Sequence, residues 1–260
     1  MDIVHPLRQR VVIHRVGPAH IRRWFRLAER DLRRVPADAL FYGVLFVLMG
    51  FSLVLYFHDD PEIVLTLVTM FLLGGPFLAT GLYDLSRQME AFEGRGKVKL
   101  LKSLVAWREN LSGFSLYGVL LTFIVFGWFR LSLLIFALFY DTDALPSLDG
   151  LLDNAVNLDN WPFLLAYFGS GFVVAFLVFA VSAIALPMLR DKEVDAVTAM
   201  VTSVQAVYKN LGTMSLWAFV IVALTVLGLA SYLVALIVFM PLIGMATWYA
   251  YRDMITYEYG

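Results

Sequence analysis

No cysteine occurs in the 260 residues, which removes disulfides, thiolate nucleophiles and cysteine-held metals together. Histidine is nearly as scarce. His5, His14, His20 and His58 are the whole set, and none falls inside a long apolar run. Paired-histidine haem and a copper-haem centre are therefore unsupported, and no cofactor or metal is expected. Charge is thin as well, at 16% Asp, Glu, Lys and Arg against 60% hydrophobic residues. A soluble domain carries about a quarter charged residues, so this composition belongs in lipid. Also missing are a Ser-His-Asp arrangement, a Walker loop, a dinucleotide fingerprint and an HExxH motif. The apolar runs carry no Asn, Gln or carboxylate near their midpoints, where a proton-coupled pump ordinarily needs one. Catalysis is not expected.

What is present is organised by the sign of charge. Met1 to Asp38 holds nine arginines and no apolar core of signal-peptide length, so this arm is expected to stay uncleaved in the cytoplasm. Within it Ile21, Trp24, Phe25, Ala28, Leu32 and Val35 recur at helical spacing from a start at Pro18. Arg22, Arg23, Arg26, Arg30, Arg33 and Arg34 fill the other face. Such a helix suits anionic lipid head groups or, as the sharper reading, an acidic partner. No aromatic-interleaved basic groove accompanies it, so nucleic acid is not expected.

Ala39 to Phe57 is a first span of 19 residues, enough for about 30 Å of hydrocarbon. His58-Asp59-Asp60-Pro61 turns the chain, and a second span from about Glu62 to Tyr83 contains Gly74-Gly75-Pro76. Asp84 to Ser112 is basic, with Val98, Leu101, Leu104, Val105 and Trp107 as a second interfacial stripe. Gly113 to Tyr140 is a third span, interrupted by Arg130, and the acidic stretch Asp141 to Trp161 follows. Asp141 and Asp143 there fall short of a calcium loop, which needs a denser carboxylate pattern. Trp161 to Pro187 is a fourth span, and Val194, Val197, Val201, Val204 and Tyr208 form a third stripe. Thr213 to Tyr251 is expected to hold spans five and six about a tight turn at Gly228 to Ser231.

The chain repeats itself. Asn210 to Trp217 matches Asn110 to Tyr117, with asparagine, leucine, serine and leucine in register, and Tyr117-Gly118-Val119-Leu120 recurs as Tyr42-Gly43-Val44-Leu45. Pro76, Pro187 and Pro241 each sit in the inner part of an even-numbered span, where proline bends a helix. The expected fold is an all-α polytopic membrane protein. A basic arm, 1–38, precedes a six-span domain, 39–260, in three hairpin repeats of about 39–93, 97–192 and 193–253, with cytoplasmic interfacial amphipathic helices. So placed, nineteen of the twenty Lys and Arg lie on one side, which the positive-inside rule makes cytoplasmic for both termini. The expected setting is an inner membrane. The partners are the lipid bilayer and other membrane subunits or further copies of the chain.

Arg130 is the twentieth basic residue, about 25 Å along its span from Gly113. It either reaches the outer interface, pairing with Asp59, Asp60, Glu62 or Asp141, or lines a substrate path. A second candidate group is Asp84, Arg87, Arg252 and Asp253, which the layout can bring together on the cytoplasmic face. Asp191 through Thr198, Thr202-Ser203, Asn210 through Trp217, Pro241 through Asp253, Gly75-Pro76 and Gly81 through Arg87 carry a resemblance. In these stretches the chain resembles the uncharacterised bacterial integral membrane proteins grouped as domain of unknown function 2189. That resemblance implies membrane insertion and supplies no activity. The residues favour a non-enzymatic accessory or scaffold subunit of a larger membrane assembly; the alternative is a transporter or channel for a small solute or ion.

Because the chain has no cysteine, the charge layout is directly testable. Lys97→Cys and Lys192→Cys, introduced singly, are expected to react with an impermeant maleimide from the same side of the membrane. Labelling from opposite sides would overturn the layout.

Overall fold

The computed structural model describes residues 9–56, 78–92, 98–139 and 161–259. Strand β1 (Gln9–Ile13) lies antiparallel to the last element, β2 (Ile255–Tyr259), with Val11, Val12 and Ile13 paired to Tyr257, Thr256 and Ile255. β-Branched and aromatic residues suit a pleated ribbon. The all-α expectation omitted this ribbon because its two strands come from opposite ends of the chain.

Helix α1 (Ala19–Arg34) follows Pro18, and Val35 ends it at φ −129° because Pro36 disfavours helical backbone before it. Helix α2 (Pro36–Tyr56) leaves at 106°. The stripe on α1 expected to lie on lipid is instead turned into the protein. Ile21, Trp24 and Ala28 are buried, and Trp24 sits edge-on to Trp217 with ring centroids 5.7 Å apart. The arginine face stays exposed. After α3 (described over 78–91) come α4 (Leu100–Leu104), a 3-10 turn (Ala106–Asn110) and the long α5 (Leu111–Phe139). The second expected stripe divides: Leu101 and Val105 point outward, as an interfacial stripe does, while Val98, Leu104 and Trp107 pack against the core.

The remaining helices are α6 (Trp161–Ser182), α7 (Ala185–Asp191), α8 (Ala196–Lys209), α9 (Leu211–Ala230) and α10 (Leu236–Met254). On α8 the small side packs inward, through Ala196, Ala199, Ser203 and Ala206, so Val197, Val201, Val204 and Tyr208 face out. Small residues allow the closer approach, so the valine stripe is left on the outer side, where an interfacial stripe is expected.

Among the described residues three helical stretches are long and apolar enough to cross a membrane, Ala106–Phe139, Trp161–Asp191 and Leu211–Ala230, and a fourth if α1 and α2 form one bent span. The second expected span lies mostly outside the described residues, as do Pro76 and Asp141 through Asn160. The sixth, α10, is the centre of the protein: every residue from Ile243 to Tyr251 is buried, so this half has no face left for lipid, while Val238 nearer its start is exposed. It packs along α1 and α2.

Of the three prolines expected to bend helices, the two described ones, Pro187 and Pro241, act differently. Pro187 has no N–H for the Ala183 carbonyl, and the helix breaks at Ala183 and Ile184, between α6 and α7. Ser203 of α8 fills that break: its hydroxyl donates to Ala180 O (2.7 Å) and accepts from Ile184 N (3.1 Å). Pro241 lies inside α10, which runs on without a break. Its missing N–H leaves the Ile237 carbonyl without its usual helical donor. Gly43 of α2 covers that oxygen so closely that a Cβ would stand 1.9 Å from it. The turn between α9 and α10 falls later than Gly228 to Ser231. Leu233 N donates to Gly228 O and Tyr232 N to Leu229 O, with Tyr232 left-handed at φ 54°, which is a Schellman closure.

Gly43→Ala is therefore expected to cost about 1–3 kcal/mol by overpacking. Gly118→Ala, in the same tetrapeptide but with nothing within 4 Å, should be neutral or stabilising. Equal shifts in thermal midpoint in detergent would refute the close contact.

Candidate functional site

The ionic side chains collect at one end of the bundle, where α3, the 3-10 turn, α7 and the last turn of α10 meet. Arg190 is the hub. Its Nε lies 3.1 Å from Asp84 Oδ1 and its Nη1 2.7 Å from Glu109 Oε2, and the Arg190 and Asp84 side chains are 2% and 1% exposed. Gln88 donates to the other Asp84 oxygen (2.7 Å) and accepts from Lys99 N (2.9 Å), tying α3 to the start of α4. Lys102 completes the Glu109 side at 3.7 Å. Burying such a pair is tolerable only because both charges and their remaining lone pairs find partners.

Asp191 organises a more solvated neighbour. Arg87 Nε stands 3.5 Å from Asp191 Oδ1, Arg252 Nη1 3.9 Å from Oδ2, and the Tyr251 hydroxyl donates to Oδ2 at 2.8 Å. Arg252 also meets Glu90 (3.2 Å), which accepts from Trp248 Nε1. Asp253 points the other way, into α1, accepting from Trp24 Nε1 (2.8 Å) and pairing with Arg23 (3.2 Å).

Of the four candidates at this end, the structure thus joins Asp84, Arg87 and Arg252 in one network and places Asp253 in another. Sequence reasoning missed Arg190, Asp191, Glu109 and Glu90. The signal was there for two of them, since Arg190-Asp191 mirrors Arg252-Asp253. Arg130 is exposed on α5, its guanidinium 5.4 Å from the Phe126 ring centroid. Its expected carboxylate partners lie outside the described residues.

The repeated asparagines act on backbone. Asn210 accepts from Val16 N (2.7 Å) and donates to His14 O (3.0 Å). Asn110 donates to Val194 O (2.9 Å) and accepts from Gly113 N (3.1 Å). Each fastens a segment that leads into an amphipathic helix, α1 in one case and α8 in the other. Nearby, Glu109, Asn110, Ser112, Glu193 and Asp195 line a surface pocket of about 480 Å³. Asp195 caps α8 by accepting from Thr198 N at 2.8 Å, which holds its carboxyl below the usual carboxylate range. On β2, burial pushes the Tyr257 hydroxyl up to about 12. Among the described residues no group of three or more His, Asp or Glu side chains is placed to hold a metal ion.

Deeper in, two cavities of about 600 and 200 Å³ lie between the helices. Aliphatic and aromatic residues dominate their walls, and Arg130 is not among the lining residues.

Arg190→Met leaves Asp84 buried without its cation and is expected to cost about 3–5 kcal/mol. The double variant Asp84→Leu/Arg190→Met should regain most of that loss in thermal denaturation. A double variant as unstable as the single one would show that the pair is not the clamp.

A protein-family model described as predicted integral membrane protein (DUF2189) matches residues 63–191. Comparison with curated proteins and with solved structures yields no match. The matched stretch contains Asp84, Arg87, Glu109, Arg130, Arg190 and Asp191, so both halves of the buried clamp fall within it. Residues 63–191, just under half of the chain, are thus similar to the predicted integral membrane proteins of DUF2189.

Proposed function

We propose that the protein is a non-enzymatic, multi-pass protein of the bacterial inner membrane that serves as an accessory or scaffold subunit of a larger assembly. One observation carries this reading. The ionic side chains with chemical potential at the charged end, Asp84, Arg87, Arg190, Asp191, Arg252 and Asp253, are all engaged with other side chains of the same chain. An active or transport site keeps such groups aimed at a cavity, whereas here they hold helix ends together.

The surface supplies what a scaffold needs. Val197, Val201, Val204 and Tyr208 form an outward apolar stripe on α8, at the charged end and continuous with exposed Leu211 of α9. Patches of this kind beside a polar end mark contact surfaces.

The six-span, three-hairpin arrangement with both termini cytoplasmic is the layout that fits this role. It is supported by the β1 and β2 pairing, which sets the two ends of the chain on one side and so requires an even number of crossings. It is supported too by Tyr42, Tyr117 and Trp217, each buried and each six residues into its helix. The alternative, a transporter or channel for a small solute or ion, is served less well. Its best residue, Arg130, stacks on Phe126 at the surface instead of facing a cavity.

Extraction in a gentle detergent followed by size analysis tests the role. A membrane protein is expected to co-purify in fixed ratio, and Val201→Glu with Tyr208→Ser should release it while helix content is unchanged. A strictly monomeric species with no co-purifying protein would overturn it.

A further inference from the structure

Six arginines stay exposed along α1, Arg22, Arg23, Arg26, Arg30, Arg33 and Arg34. Three are answered within the chain, Arg23 by Asp253, Arg30 by Asp31 and Arg33 by Glu29. Among the described residues Arg22, Arg26 and Arg34 have no carboxylate within ion-pair reach. The helix cannot rotate to find one, because its other side is committed. Trp24 is fully buried and donates to Asp253, and the enclosed Asp31 accepts from Tyr249. Those two bonds also fix the tilt. Asp253 lies in the last turn of α10 and Tyr249 one turn earlier, so from Trp24 to Asp31 the helix climbs about 6 Å from the charged end toward the apolar middle of the bundle. Arg33 and Arg34 follow there, at the corner where the chain turns 106° into α2.

From that corner α2 presents an unbroken apolar stripe. Ala37, Phe41, Val44, Leu48 and Phe51 recur at helical spacing, and they are the exposed residues of this stretch. The stripe runs for about 21 Å, longer than the half of an about 30 Å hydrocarbon core that one leaflet supplies. We propose that the corner between α1 and α2 is a docking surface for anionic phospholipid. Arg34 meets the phosphodiester of a molecule whose acyl chains lie along the α2 stripe, and Arg26 and Arg22 meet the headgroups beside it. A guanidinium matches a phosphate in shape as well as charge. A zwitterionic headgroup brings its own cation to that phosphate, so the net attraction belongs to the anionic class. An acidic peptide supplies the charge without covering the stripe that starts three residues after Arg34; a phospholipid supplies both. The surface is independent of the scaffold role.

Native mass spectrometry of the full chain in detergent tests this, with dioleoylphosphatidylglycerol and dioleoylphosphatidylcholine as probes. Phosphatidylglycerol is expected to bind at least tenfold more tightly, with a preference that shrinks as salt rises. Arg26→Gln/Arg34→Gln, which removes no ion pair among the described residues, should weaken phosphatidylglycerol about tenfold or more, from roughly fivefold per arginine at an anionic surface. Phosphatidylcholine binding should not change. Arg108→Gln, which takes the same charge from the exposed 3-10 turn, should leave both lipids unaffected, and glycerol phosphate, a headgroup without chains, should not compete at the lipid's own concentration. Equal binding of the two lipids, or a preference untouched by the double variant, would overturn the site. So would an equal loss in Arg108→Gln or effective competition by glycerol phosphate. An acidic protein released by the double variant while the lipid preference stands would overturn it in favour of that partner.

Discussion

A guanidinium cannot be taken out of water alone; it needs a carboxylate that shares its burial and further donors to occupy that carboxylate. Arg190 and Asp84 meet this requirement, with Gln88 on the second carboxylate oxygen and Glu109 on the far side of the guanidinium. The consequence is geometric. Residues more than a hundred positions apart become fixed to one another, so α3, α7 and the 3-10 turn before α5 share one end. Asp191, one residue on, extends the linkage through Arg87 and Arg252 to the last turn of α10. Helices that expose apolar surface along much of their length gain little from one another in lipid, and the ionic end supplies what pins them.

The same demand for partners governs the backbone. A carbonyl or N–H in an apolar surround is costly without one, and this chain creates such groups with its prolines. At Pro187 the repair comes from a side chain, Ser203, inserted into the broken ladder. At Pro241 it comes from close approach, with Gly43 laid against the freed Ile237 carbonyl, where a weak Cα–H contact is available. Asn110 and Asn210 do similar work outside the helices, fastening the segments that carry α8 and α1. Polar residues in this protein mostly hold backbone and one another.

That pattern bears on what the molecule does. With the charged groups turned inward and the cavities apolar, the features left facing outward are surfaces: the basic face of α1, the valine stripe of α8 and the lipid-exposed aromatic flanks of α5, α6 and α9. Surfaces bind membranes and partners. Among the described residues, Ser86 Oγ and Trp217 Nε1 are the buried side-chain polar atoms left without a hydrogen-bond partner.

Much of the fold was legible in the sequence because hydrophobic length and the placement of arginine are local properties. The starts of α1 and α2, the apolar stretches of α5, α6 and α9, and the breaking power of Pro187 all follow from residues near one another. The family resemblance over residues 63–191 was legible too, from short motifs such as Gly81 through Arg87. What stayed hidden was direction and partnership. An apolar stripe does not say whether it meets lipid or protein, so of two stripes expected at the membrane interface the Trp24 face lies within, while the valines of α8 stay outside. Charge near Asp84 and Arg252 suggested a meeting, but the hub at Arg190 needed three elements folded onto it. The pairing of β1 with β2 joins the two ends of the chain, and α10 becomes central only once α1 and α2 close around it. Pattern along the chain determined which segments are helical and apolar. Only tertiary packing decided which face of each is inside, because that choice depends on competition among all neighbours for the same contacts.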